Sequence, residues 1–180
     1  MRALFIVLII MLCSCSTSSK QVAQHDFGLQ STSSGVVNSS DISVTMPQWL
    51  WNQCIHYRLL YSSSTQLSCY SLDQWIAPPP ELFKQQLASK ISTQHRLIIE
   101  LGEFEQQFDS PTTARVMMAM RVTVYAPHSE KQLASKDFRL EQASATPDAA
   151  GAVAGFASLT RQATDRIQSW LAGLATTRAN

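Results

Sequence analysis

A period-two repeat of apolar side chains in the second half of the chain limits its fold more than any other feature. Between positions 112 and 126, one set of alternate positions is uniformly apolar: Val116, Met118, Met120, Val122 and Val124. A period of two residues is what a half-buried β-strand requires. The run His95–Phe108 also alternates, and Gln107–Thr112 supplies a turn with Asp109 and Pro111. The two runs therefore predict a long β-hairpin.

A change of phase inside the first of these strands predicts a local irregularity. Its apolar positions are odd-numbered before Gly102 and even-numbered after it, namely Leu97, Ile99, Leu101, Phe104 and Phe108. One extra residue in one strand shifts the alternation in this way, so we predict a β-bulge at Gly102. The second strand's other face is mixed and includes Arg115 and Arg121. That face meets either solvent or a partner.

A second hairpin and a helix are predicted in the first half of the chain. Ile55–Tyr61 alternates, Ser62–Thr65 is a polar turn, and Gln66–Tyr70 resumes a strand. Pro78–Pro80 then predict a rigid corner, because prolines lack the backbone donor that a central strand needs. Glu81–Ile91 follows as a helix with apolar residues four apart, at Phe83, Leu87 and Ile91.

The last third of the chain predicts a strand and a long helix. Lys131–Gln142 reads as the strand. The helix begins at Thr146-Pro147-Asp148, with Thr146 as the N-cap, Pro147 at the first helical position and Asp148 in the first turn. It extends to about residue 174 along an amphipathic stripe. Small residues near its start, including Gly151 and Gly155, would allow close approach to a sheet.

Together these elements predict a single α+β domain: an antiparallel sheet of about six strands packed by two helices. Gln21–Leu29 and Asp41–Met46 are shorter candidate strands that complete the sheet. The predicted core consists of Ile42, Val44, Tyr57, Leu59, Leu87, Ile99, Val116, Met118, Val122, Phe156, Ile167 and Trp170.

The register of the hairpin in the first half of the chain decides whether Cys54 and Cys69, the candidate disulfide pair, can come close enough to bond. If Tyr61 lies opposite Gln66, Cys69 faces Arg58 and lies about 13 Å along the strand from Cys54. A disulfide needs Cα atoms within about 7 Å. The inferred register argues against the bond, and a bulge that moves the register would permit it.

No pattern in the chain predicts catalysis. The histidines are scattered without metal-ligand spacing, and no P-loop, nucleophile elbow or dinucleotide fingerprint occurs. His56 near Cys54 lacks the orienting third group of a Cys–His catalytic pair, and both are interpreted as surface side chains. The carboxylates of Glu100, Glu103 and Glu105 are interpreted as the solvent side of a strand. We expect neither an enzyme nor a metal or cofactor site.

The N-terminus predicts a cleaved leader. Arg2 precedes the apolar run Ala3–Leu12, which is shorter than the roughly 20 residues of a membrane-spanning helix and has the length of a signal-peptide core. The following residues, Leu12-Cys13-Ser14-Cys15, resemble a bacterial lipobox with Cys15 as the lipidated residue. Cys13 is the competing site, but it would place a large leucine where a small residue is expected. An ordinary secretory signal is the remaining alternative.

The predicted organisation is therefore a signal peptide at 1–14, a lipidated N-terminus and tether at 15–21 and a folded domain at 22–175. By resemblance to bacterial lipoproteins, Ser16 after the lipidated cysteine favours the outer membrane, with the domain in the periplasm. Removing the leader leaves 13 of the 14 basic residues against 13 acidic ones. Because no basic cluster tracks a phosphate backbone, we exclude nucleic acid as a partner.

Several ordered motifs resemble one family across almost the whole mature chain. They are the lipobox, the runs MPQWL, IHYRLLY and CYSLDQWIAPPPELFKQQL, the strand LIIELGEFEQQF and the helix end IQSWL. They resemble the auxiliary lipoproteins of ABC-type transport systems, the family of the paraquat-inducible operon lipoprotein. One departure is the run after Trp75, where the acid that the family places close by appears only at Glu81.

The resemblance implies an outer-membrane accessory protein without a cofactor. It would dock or cap a periplasm-spanning assembly of mammalian-cell-entry (MCE) proteins in intermembrane lipid transport. Trp49 and Trp51, with Arg115 and Arg121, are the candidate partner interface, since exposed aromatics concentrate binding energy. Self-association into a homo-oligomer is left open. The alternatives are a direct lipid-binding carrier and a structural envelope-assembly lipoprotein.

Overall fold

The computed structural model describes residues 20–28 and 41–178, with side chains to residue 174. The described residues form one α+β domain. Its strands are β1 (Ala23–His25), β2 (Ile42–Thr45), β3 (Cys54–Leu59), β4 (Ser68–Trp75), β5 (Arg96–Ser110), β6 (Thr113–Tyr125) and β7 (Gln132–Ala143). Its helices are α1 (Pro79–Lys90) and α2 (Ala149–Arg178). Neither of these helices combines the length and the apolar character needed to cross a bilayer.

The sheet is mixed, so the prediction of an antiparallel sheet is wrong in strand direction. Six of its seven strands follow the order β1-β4-β3-β5-β6-β7, and β2 also pairs with β5. β2 and β3 share one side of β5, beside Leu97–Glu100 and Gln106–Phe108 respectively, and both run parallel to it. β1 likewise runs parallel to β4. Alternation predicts that a strand exists, but it carries no information about the strand's neighbour.

The predicted hairpin is confirmed as the centre of the sheet. β5 and β6 pair antiparallel along nearly their whole length, and the register shifts between Leu101 and Glu103, where the bulge at Gly102 was predicted. After the bulge, Phe104 lies opposite Met118 and continues the apolar face. That face is covered by the helices and is fully enclosed along β6.

Nine of the twelve predicted core residues are buried, and the other three are not. Tyr57, Leu59 and Trp170 are half-buried. Tyr57 and Leu59 lie beside the far end of β5. Trp170 packs edge-on against Phe138, with ring centroids 5.8 Å apart, near the outer strand β7. The three residues therefore line the margin of the core.

The two helix starts differ in detail from the predictions. α1 begins at Pro79, so two of the three prolines lie inside its first turn, where a missing N–H costs no helical hydrogen bond. In α2 the cap is Asp148 and not Thr146, because a carboxylate oxygen of Asp148 accepts the N–H of Gly151 at 2.9 Å. The hydroxyl of Thr146 donates to the same oxygen at 2.6 Å.

The predicted close approach of α2 to the sheet is confirmed at Gly155. A Cβ added there would lie 2.7 Å from Cγ2 of Val116 on β6, which is closer than carbon atoms approach. Only glycine lets the helix lie at this depth. The packing that results encloses Phe156, Leu159, Ala163 and Ile167 against the sheet.

Candidate interaction surface

The proposed lipid-attachment residue Cys15 lies outside the described residues, as does all of the predicted leader. The described chain begins at Lys20, three residues before β1. The structure therefore shows where the predicted tether enters the domain. Lipidation of Cys15 stays a prediction.

The loop between β2 and β3 exposes both tryptophans of the predicted interface. A single 3-10 turn at Gln48–Leu50 directs Leu50 into the core, where it is 3% exposed. The flanking rings point outward, with Trp49 65% and Trp51 40% exposed. The side chain of Asn52 donates to the carbonyl oxygen of Trp49 at 3.3 Å and accepts the N–H of Cys54 at 2.8 Å. These bonds connect the loop to the start of β3.

Ile76 joins this exposed apolar surface and was missed by the sequence analysis. It follows Trp75, which is completely buried, and is itself 52% exposed. The backbone N–H of Trp75 donates to the carbonyl oxygen of Gln53 at 2.8 Å, and the side chain of Gln53 donates to the carbonyl oxygen of Ile76 at 2.9 Å. The tryptophan loop and the end of β4 are thus held together. We call Trp49, Trp51 and Ile76 the apolar patch.

Two further exposed apolar residues lie along the same edge of the sheet. Ala23 of β1 pairs with Asp73 of β4, so the preceding residues, Val22 and Leu72, occupy neighbouring positions. They are 39% and 40% exposed. The signal that was available for Leu72 and Ile76 is the inward position of Trp75, because residues at an odd number of positions from an inward side chain in a strand point to its other face.

Arg115 and Arg121, the other two predicted interface residues, lie on β6 and are already paired. Arg121 donates two hydrogen bonds to Asp137 on β7, at 2.7 and 3.0 Å. These bonds raise the pKa of Arg121 and lower that of Asp137. Arg115 bonds to Asp109 and lies 3.9 Å from Glu141. The four predicted residues therefore form two groups on different elements.

The sheet face opposite the helices, which we call the uncovered face, holds more such ion pairs. Arg139 of β7 bonds to both carboxylate oxygens of Glu103 on β5. The residue of β6 between them is Ala119, which pairs with Arg139 and with Glu103 in the two ladders. A small side chain there lets the arginine extend across the strand. The face is a lattice of opposite charges, and not a uniformly positive surface.

His56 and Glu105 are buried, which corrects their interpretation as surface residues. They are 9% and 6% exposed. Arg58 donates to both oxygens of Glu105, at 2.8 and 2.9 Å, and Gln107 donates at 2.8 Å. Burial alone would raise the pKa of Glu105, but these bonds and the charge of Arg58 lower it overall. Burial lowers the pKa of His56 and outweighs the attraction of Glu105.

Cys54 and Cys69 form a disulfide, with Cα atoms 5.7 Å apart. The inferred register was wrong, because Cys69 pairs with His56 and not with Arg58. Cys54 therefore lies two residues, and not four, from the partner of Cys69, and the register shifts between Cys54 and His56, the kind of irregularity that would permit the bond. Since the sulfur of Cys54 is bonded, it is not a thiol that His56 could activate.

The space between the sheet and α2 is filled by aromatic rings. Phe104 and Phe156 stack with centroids 4.0 Å apart. Trp75 packs edge-on against Phe156 at 5.9 Å and against Phe27 at 5.2 Å. A depression of about 560 Å³ between β7 and α2 lies on the surface and is lined largely by charged residues, including Lys136, Asp165 and Arg166. Among the described residues, no three His, Cys, Asp or Glu side chains are grouped as metal ligands would be.

Comparison with known proteins relates this fold to solved structures. No family model matches the sequence, and neither does any curated protein. Protein XCC0632 from Xanthomonas campestris, of the DUF330 family, is similar with a TM-score of 0.67 and 15% identity, covering 77% of this chain and 85% of that one. An uncharacterized protein is similar with a TM-score of 0.65 and 15% identity, covering 84% and 99%. At this identity the similarity shows a shared fold.

Proposed function

We propose that this protein is an outer-membrane-anchored periplasmic lipoprotein that serves an ABC/MCE-type intermembrane lipid transport system. Acyl chains on Cys15 would hold the domain at the inner surface of the outer membrane. The domain would dock or cap the periplasm-spanning MCE assembly and would perform no chemistry itself. The lipobox-like run ending at Cys15 and the ordered motifs that resemble the family support this proposal.

The filled interior is the observation that favours docking over lipid carriage. A carrier needs an apolar cavity large enough for acyl chains, and the natural place for it is between the sheet and the helices. That space holds Trp75, Phe104 and Phe156 in ring contact. A lipid could enter there only by displacing these rings, which would forfeit close packing. The domain therefore offers partners its surface.

We assign the contact with the MCE protein to the uncovered sheet face around Arg115 and Arg121. Arg121 keeps 58% of its side chain exposed while paired with Asp137. Exposed pairs of this kind contribute little to stability. They can exchange partners with complementary charges on another protein, which sets orientation and specificity more than affinity.

Photo-crosslinking in intact cells tests the proposal. A photoreactive amino acid replacing Arg121 should give an adduct with an MCE-domain protein. The same amino acid at Ser169, an exposed position on α2, should give none and serves as the matched control. Adducts with other envelope proteins from both positions, and none with an MCE protein, would contradict the proposal and favour a structural envelope lipoprotein.

Lipid extraction provides the second arm of the test. The Cys15→Ser protein, purified without its anchor, should contain no stoichiometric phospholipid. A bound phospholipid that survives delipidating washes would show that the interior opens, and it would favour the carrier.

A further inference from the structure

We infer that the apolar patch of Trp49, Trp51 and Ile76 seats the domain on the phospholipid surface to which its N-terminus is tethered. This inference rests on the proposed function, because it takes the anchor at Cys15 as given. It adds a second membrane contact, made by the folded domain itself, and a role for that contact in fixing the domain's orientation.

The patch is exposed although a buried residue lies next to it in each of its two segments. Leu50 and Trp75, its neighbours in the chain, are 3% and 0% exposed, whereas Trp49 and Ile76 are 65% and 52% exposed. Each segment is therefore fixed to the core by one buried residue, and hydrogen bonds from Asn52 and Gln53 fix the loop further. Large apolar groups brought together on a surface commonly mark an interaction site.

The backbone joins this patch to the strand through which the predicted tether enters. The N–H of Ile76 donates to the carbonyl oxygen of His25, the last residue of β1, at 2.8 Å. Cys15 precedes His25 by ten residues in the sequence, so at most about 35 Å of chain separates them. The patch is thus bonded to the strand that leads, through a short stretch of chain, to the predicted lipid anchor.

The chemistry of the patch fits a lipid headgroup region. Tryptophan combines a large apolar ring with one polar N–H, and it is enriched where apolar and aqueous phases meet. An isoleucine beside two tryptophans adds apolar area without charge. Because the sequence carries no cluster of basic residues, we expect the patch to bind neutral and anionic phospholipid surfaces equally.

Contact between the apolar patch and the membrane would orient the uncovered sheet face. A flexible tether alone lets a domain rotate freely above the bilayer. A second contact, on the loop between β2 and β3 and the end of β4, restricts this rotation. The charged face around Arg121 would then be presented at a constant angle to a partner that arrives from the periplasm.

Fluorescence quenching by brominated phospholipid tests the inference. The full-length protein, processed in cells and with acylation of Cys15 verified by mass spectrometry, is reconstituted into phosphatidylcholine vesicles with or without brominated acyl chains. We expect bromine to remove most of the emission from Trp49 and Trp51. The Trp49→Phe/Trp51→Phe variant should show little quenching, because its remaining fluorophores are the buried Trp75 and the half-buried Trp170.

Two matched single variants distinguish membrane contact by the apolar patch from membrane contact by any exposed apolar side chain. Ile76→Ser should reduce the quenching of Trp49 and Trp51. Tyr61→Ser removes an aromatic side chain of similar exposure, 48%, beyond the opposite end of β3, and should leave the quenching unchanged. Thermal melts of both variants verify that they are folded.

Three results would overturn the inference, and they are distinguishable. Acylated protein whose emission is equally strong in brominated and ordinary vesicles would show that the patch does not contact lipid, while the anchor stands. A photo-crosslink from position 49 to a protein partner, together with absent quenching, would assign the patch to that partner. Protein that carries no acyl group at Cys15 would instead defeat the proposed function and the inference with it.

Discussion

Gly151 fixes how α2 begins. A Cβ at this position would lie 1.9 Å from the carbonyl oxygen of Thr146, and this backbone atom cannot rotate away. We expect Gly151→Ala to lower the free energy of unfolding by about 1–3 kcal/mol, the usual cost of an overpacked site. Urea unfolding followed by circular dichroism measures the loss.

Gly173 provides the control, since it lies in the same helix with nothing within 4 Å of an added Cβ. Gly173→Ala should be neutral or stabilise the domain by up to about 1 kcal/mol through helix propensity. A Gly151→Ala variant as stable as Gly173→Ala would contradict the close contact with Thr146.

The burial of His56 predicts that the domain loses stability in mild acid. Its pKa in the unfolded chain is near the ordinary value of 6.5, and burial lowers it in the folded domain. Between these two values the unfolded state binds more protons, so the free energy of unfolding falls as the pH falls below about 6.5. His56→Gln should therefore lose less stability than the wild type between pH 7.5 and pH 5.5, measured by urea unfolding.

Glu105 does not contribute to this pH dependence, because its pKa is lowered from 4.5 and its carboxylate stays ionised at pH 5.5. His128→Asn replaces an exposed histidine and serves as the matched control. Equal slopes in His56→Gln and the wild type would show that His56 titrates normally in the folded domain.

Individual residues were predictable where one strand or helix determines their environment. The bulge at Gly102 and the close approach at Gly155 follow from the sequence of single elements. The burial of His56 and Glu105 does not, because it arises where β3 lies beside β5, with Tyr57 paired to Gln106. A period-two pattern shows which residues of one strand share a face. It does not show which of those residues become buried when another strand pairs alongside.

A disulfide links the two strands of the β3–β4 hairpin. Cys54 and Cys69 are separated by 15 residues, and closing a loop of that length contributes about 3 kcal/mol by restricting the unfolded chain. The Cys54→Ser/Cys69→Ser variant should lose about this amount in urea unfolding. Reducing the wild type should have the same effect.

The double serine variant is also the control, since a reducing agent should leave its unfolding midpoint unchanged. A wild-type midpoint that does not respond to reduction, in protein shown by mass to be oxidised and then reduced, would contradict a stabilising role for the bond.

Strand directions could not be derived from the sequence. β2 and β3 align on the same side of β5, and the loop carrying Trp49 and Trp51 connects them. This arrangement needs long-range pairing between residues 42–59 and 97–108, which no local pattern encodes. The exposure of both tryptophans follows from it, because the loop between these two strands buries only Leu50.

The domain as a whole has a filled interior and two distinct exposed surfaces. Rings fill the layer between sheet and helices, charge pairs cover the opposite sheet face, and an apolar patch lies near the entry of the tether. The α+β class was predictable from alternation and helix periodicity. The location of the surfaces was not, since it depends on the order of the strands.

Replacing Cys15 by serine and fractionating the cells tests the central claim, a docking domain held at the outer membrane by lipid. The wild-type protein should be found with the outer membrane and need detergent for release. The Cys15→Ser protein should lack the acyl mass and appear in the soluble periplasmic fraction. If it still fractionates with the outer membrane and gains no solubility without detergent, the claim is wrong.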